Sequence, residues 1–126
     1  MKTVLIVEDE KMIRQGIKTM IMRSGVPIET IMECNNGETA LEILKEQEID
    51  VMFTDIRMPK MDGIELVQKM QSLEHIPLTV AISGYDDFEY AQRAIKLNVT
   101  EYILKPVNVE ELTSILKRIK SGLDEE

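Results

Sequence analysis

Phe53–Gly63 reads FTDIRMPKMDG. It completes an apolar run that starts at Ile49, and a carboxylate, Asp55, stands where a buried strand should end. Pro59 and the Asp62-Gly63 pair follow and hold the next residues in a loop. A solvated loop residue would account for one acid at the rim of a core. A further role for Asp55 depends on what other chemistry reaches the same rim.

Working outward, Val4–Val7, Ile28–Cys34, Ile49–Thr54, Leu78–Ser83 and Glu101–Leu104 are predicted strands. The first and third read as apolar runs, as strands covered on both faces do. Residues at helical spacing alternate with them: Ile13, Ile17, Met20 and Ile21; Ala40, Leu41 and Leu44; Ile64, Val67 and Met70; Phe88, Ala91 and Ile95; Leu112, Ile115, Leu116 and Ile119. Ser24-Gly25 and Pro27 stop the first helix, Asn36-Gly37 precedes the second, and Asp62 is placed to cap the third. Strict alternation predicts an α/β fold, a parallel sheet with helices on both faces. In such sheets ligands sit beyond the carboxyl ends of the strands.

Composition narrows the function. A chain of 126 residues with 44% apolar and 30% charged residues fits one folded domain. With 23 acids against 15 Lys and Arg, the net charge is −8, so this chain is a poor nucleic-acid binder by itself. No apolar run approaches the ~20 residues of a membrane span, and acids interrupt MKTVLIVEDE before a signal-peptide core forms. A first strand and a cytoplasmic protein are expected. The lone Cys34 excludes an internal disulfide and reads as a small buried residue. His75 reads as a surface residue on the opposite rim, and the nine methionines mostly as core filling.

The rim collects Glu8, Asp9 and Glu10 after the first strand, Asp55 after the third, Ser83 at the end of the fourth and Lys105 after the fifth. Glu10 begins a helix and reads as a solvated acid favouring its dipole. Closely packed carboxylates raise each other's pKa, and a divalent oxygen-seeking cation relieves that conflict. Mg²⁺ suits best, because it takes one or two carboxylates and shares a phosphate oxygen. Lys105 would face a phosphoryl group from the other side, and Ser83 would donate a hydrogen bond to it. Ser83 or Lys105 alone would be uninformative; the joint placement is the signal.

VLIVEDE, FTDIRMPKMDG, ISGYDD and YILKP together resemble the receiver domain of bacterial two-component response regulators, from roughly Lys2 to Ile119. The resemblance implies a flavodoxin-like (βα)5 doubly wound five-stranded sheet of order 2-1-3-4-5. It implies a receiver domain over residues 1–121, with 122–126 a polar tail or the start of a linker. Asp55 matches the phosphoacceptor for a sensor histidine kinase. Asp9 matches the metal-binding acid, with Asp55 and the backbone carbonyl of Arg57 completing the protein ligands of Mg²⁺. Glu8 stands where receivers often have aspartate, and its extra methylene suggests contact through water. Ser83 and Tyr102 match the switch residues, and Lys105 the phosphoryl-contacting lysine. Lys105-Pro106 matches a bond that is typically cis in the family. Such a chain is not an enzyme toward outside substrates but assists its own phosphorylation and dephosphorylation.

The resemblance also carries expectations for output. Phosphorylation would move Ser83 and Tyr102 and alter the surface of the fourth helix, fifth strand and fifth helix. There Asp86, Asp87, Glu89, Arg93, Lys96, Glu101, Lys117 and Arg118 supply both charge signs for a homodimer. The stretch ISGYDDFEYAQRAIKLNVTEYILKP is similar to receivers that precede an arabinose-regulator-type helix-turn-helix domain, so DNA would be reached through a C-terminal domain outside this chain. A stand-alone receiver acting by protein contact is the other form. An aspartyl-phosphate phosphatase of the haloacid-dehalogenase type needs a second acid where this chain has Arg57. A flavin carrier needs a Gly/Ser/Thr-rich loop where it has EDEKM.

Overall fold

As far as β4 the strands and helices alternate as the periodicity requires, in a computed structural model that describes residues 1–84, 89, 92, 93, 96 and 99–124. β1 (Thr3–Val7), α1 (Lys11–Arg23), β2 (Thr30–Cys34), α2 (Gly37–Glu46), β3 (Val51–Asp55), α3 (Gly63–Met70), β4 (Leu78–Ser83) and β5 (Glu101–Leu104) lead to a C-terminal helix, Val109–Asp124. All neighbouring strands pair in parallel, in the order β2-β1-β3-β4-β5. This is the flavodoxin-like arrangement. The pattern formed by Phe88, Ala91 and Ile95 lies outside the described residues, as do Asp86 and Asp87.

Alternate residues of one strand serve two cores, which is why β1 and β3 are apolar throughout. Val4, Ile6, Val51 and Phe53 pack with Ile17 and Ile21 of α1 and with Leu112, Ile115, Leu116 and Ile119 of the C-terminal helix. Leu5, Val7 and Met52 face the other way, onto Ala40 and Leu44 of α2 and Leu66, Val67 and Met70 of α3. A one-residue slip of either strand would exchange the two sets.

Local chemistry sets the helix ends. The Asn36 side chain accepts from the Thr39 amide at 2.8 Å, and Asp62 accepts from the Glu65 amide at 2.9 Å, so each caps its helix. Glu10 occupies the N-cap of α1 without a side-chain capping bond. After α1 the Ser24 hydroxyl donates to the Ile21 carbonyl, and Gly25 takes φ +82°, open to glycine without cost.

Two expected strand boundaries change. β3 starts at Val51, not Ile49; just before it, the Asp50 carboxylate accepts from the Lys2 and Thr3 amides at 2.6 and 3.2 Å. β2 starts at Thr30, whose amide opens the ladder to Lys2, whereas Ile28 packs on the core without a rung. The methionines mostly pack in or against the cores, as expected; the exceptions, Met12 and Met22, are 75% and 67% exposed on α1. The C-terminal helix runs on through Gly122 to Asp124, with Leu123 packed against the core. Among the described residues, no helix is long and apolar enough to cross a membrane.

Candidate functional site

Parallel register delivers the strand ends to one level. Val7 pairs with Thr54, Asp55 with Ile82, and Ser83 with Leu104. The ladder continues one rung further on both sides, with the Glu8 amide donating to the Cys34 carbonyl and the Lys105 amide to the Ser83 carbonyl. Glu8, Asp55, Ser83 and Lys105 therefore leave the sheet at the same rim.

There Lys105 Nζ lies 3.1 Å from Asp55 Oδ2 and 3.3 Å from Glu8 Oε1. Both acids are buried, Asp55 at 5% and Glu8 at 1% exposure, while Asp9 faces solvent. Carboxylate oxygens of Glu8, Asp9 and Asp55 all come within 4.8 Å of one another. Glu8 Oε2 accepts from the Glu10 amide at 3.2 Å, but Oε1, despite its ionic contact with Lys105, receives no hydrogen bond among the described residues.

Burial, reinforced by the neighbouring Asp9 and Asp55, pushes Glu8 up to about 8. Burial works against the charge of Lys105, yet the facing Asp55 and Glu8 outweigh it and raise its pKa. The Lys105 ammonium thus partly offsets a group of three acids. The donor set consists of hard carboxylate oxygens, one of them buried without a hydrogen bond, and it fits a divalent cation of the Mg²⁺ type. Arg57 is exposed on the loop leaving Asp55.

Ser83 is fully buried, and its Oγ lies 2.6 Å from the Tyr102 hydroxyl. The Tyr102 ring packs with Ile56, Ile64 and Ala81, below the same rim. The Lys105–Pro106 peptide is cis. Cys34 is buried beside the site, and burial pushes its thiol up to about 11, which leaves it unreactive at neutral pH.

Three supporting residues escaped sequence reasoning. Gly63 reads as half of a turn, but a Cβ there would overlap the Asp55 carbonyl oxygen and come 2.9 Å from Ile56 Cα. Its amide donates to the Ile56 carbonyl at 2.7 Å, so α3 starts against the backbone of the acid itself. The sharp turn falls on Lys60, φ 68°, and not on a glycine. Arg14, which the sequence does not single out, donates through Nη1 to the Glu8 carbonyl at 2.9 Å. The only hint of that role in the sequence is a second cation, Lys18, one turn further along.

Residues 4–117 match the family described as the response regulator receiver domain. The chain belongs to this family. Its relatives among transcriptional regulators include HptR of Staphylococcus aureus, 36% identical over 124 residues, which are 98% of this chain and 48% of that protein. A response regulatory protein of Vibrio cholerae is 33% identical over 121 residues, 96% of this chain and 46% of the other. The chain thus spans about half the length of these curated relatives. Among solved structures, the receiver domain of AraT from Geobacillus stearothermophilus superposes with a TM-score of 0.84 at 36% identity, covering 98% of this chain and 95% of that one. This receiver domain is accordingly one of the kind found in two-component response regulators, arabinose-type regulators included.

Proposed function

We propose that Asp55 accepts a phosphoryl group from a sensor histidine kinase and that its charge switches an output surface. The observation that carries this reading is Lys105 bridging buried Asp55 and Glu8 beside exposed Asp9. Asp9, Asp55, the Arg57 backbone carbonyl and Glu8, the last through water or directly, would hold Mg²⁺. A bound Mg²⁺ supplies positive charge to the phosphoryl oxygens.

The work of the chain itself is positioning. A carboxylate oxygen of Asp55, fixed at the end of β3, attacks phosphorus. The phosphorus–nitrogen bond to the kinase histidine breaks, and the imidazole leaves with the electron pair and takes up a proton. Lys105, already pointing at Asp55, turns its ammonium to a phosphoryl oxygen, and the Ser83 hydroxyl donates to another. Drawing Ser83 away from Tyr102 frees the ring to rotate, which changes the surface around β5 and the C-terminal helix.

On this reading the receiver domain occupies residues 1–121, acts in the cytoplasm and controls a DNA-binding domain beyond residue 126. Support for the last point comes from relatives twice its length that are named transcriptional regulators. Phosphorylation favours a homodimer through the mixed-charge surface. Glu101 and Arg118 already pair within the chain at 3.1 Å, which leaves exposed Glu89, Lys96 and Lys117 for the contact. Arg57, in place of a second acid, disfavours a phosphatase for outside substrates.

Acetyl phosphate with Mg²⁺ should label the wild-type chain but not Asp55→Asn; equal labelling would show that the acceptor lies elsewhere. Sedimentation with and without beryllofluoride tests the dimer, and an unchanged mass rejects it.

A further inference from the structure

We propose that Arg14 is a positioning residue for the cation site, holding the Glu8–Asp9 peptide in the plane that brings both carboxylates toward Asp55. This rests on the magnesium reading above.

A peptide unit is planar, so fixing one carbonyl also fixes the next amide and the direction in which the chain continues. The Glu8 residue is held from two sides: its amide donates to the Cys34 carbonyl at 3.1 Å, and its carbonyl accepts from Arg14 Nη1 at 2.9 Å. The first contact extends the β1–β2 ladder. The second ties the turn after β1 to the first turn of α1, where Glu10 provides no side-chain cap.

Arg14 is itself anchored. Its Nε donates to Glu33 Oε1 at 3.3 Å, and Lys18 Nζ lies 3.2 Å from Glu33 Oε2. One carboxylate on β2 thus takes two cations from successive turns of α1, and the guanidinium reaches from it to Glu8. Only 18% of the Arg14 side chain is exposed. A charge-assisted bond to a carbonyl, made by a planar fork whose other edge is already paired, is directional. A bare positive charge near the site would oppose a cation; pairing with Glu33 offsets that repulsion and leaves the geometric effect.

The test is the affinity for Mg²⁺ alone, by isothermal titration calorimetry, with the Asp9 amide resonance of metal-free protein as a second readout. Groups that orient metal ligands cost ~10–100-fold in affinity when removed. Arg14→Ala should bind Mg²⁺ at least ~10-fold more weakly and shift the Asp9 amide in the absence of metal. Arg14→Lys keeps the charge but not the fork and should recover no more than part of the loss. If Arg14→Ala does not fold, Arg14→Met, which keeps most of the side chain's bulk but has no donor, should weaken binding in the same direction. Unchanged or tighter binding by the folded variant overturns the role of Arg14. Wild-type protein that takes up no Mg²⁺ overturns the reading beneath it.

Discussion

The Tyr102 hydroxyl and Ser83 Oγ lie 2.6 Å apart, joining β5 to the end of β4 below the rim that carries Asp55. Ser83 has no access to solvent, so its hydroxyl depends on partners inside the protein. Its only other contact among the described residues is a long one, 3.5 Å to the Gly84 carbonyl. Tyr102→Phe removes the shared bond and keeps the ring. It should cost about 0.5–1.5 kcal/mol in urea unfolding. A variant as stable as wild type would mean that water replaces the tyrosine hydroxyl.

Lys105→Ala should separate binding from chemistry. Without the ammonium, Asp55 and Glu8 lose the cation 3.1 and 3.3 Å away, and the acidic group becomes more attractive to Mg²⁺. Calorimetry should show equal or tighter Mg²⁺ binding. Labelling by acetyl phosphate should fall on the order of 10²-fold, because a donor to the developing phosphoryl charge is gone. Loss of both together would assign Lys105 a merely structural part.

Glu8 predicts a pH dependence. Its folded pKa is raised from 4.5 to about 8, so the native state binds a proton that the unfolded chain has released. Its stabilising contribution is complete below 4.5 and is lost as the pH rises through about 8. In EDTA, thermal stability should therefore decline between these limits, and the decline should be shallower in Glu8→Gln. Mg²⁺ requires the ionised acids, so it should raise the melting temperature more at high pH than at low. An identical slope in Glu8→Gln would remove Glu8 as the cause.

Gly63→Ala places a methyl group onto the Asp55 carbonyl oxygen and close to Ile56 Cα. Backbone cannot yield as a flexible side chain does. The substitution should cost about 1–3 kcal/mol in denaturant unfolding and slow labelling of Asp55 at temperatures where the protein stays folded. Gly16→Ala is the control, since nothing among the described residues lies within 4 Å of its added Cβ and alanine favours the helix. Equal stability of the two variants would reject the close packing.

The repeating features were legible because their causes are local. β4 and β5 begin and end where the predicted strands do, and Asp62 caps its helix as its type and position suggest. Asp9, Asp55, Ser83 and Lys105 could be gathered to one rim because strict alternation leaves a parallel sheet only one way to point its strand ends. What tertiary structure decided is which distant group each side chain meets. The Asp50 side chain binds amides 47 and 48 residues away, Gly63 is required by the carbonyl of Asp55, and Arg14 reaches the Glu8 carbonyl. Periodicity and capping depend on neighbours along the chain, whereas the burial of Glu8 and the grip of Arg14 exist only once four strands and a helix have been brought together in space.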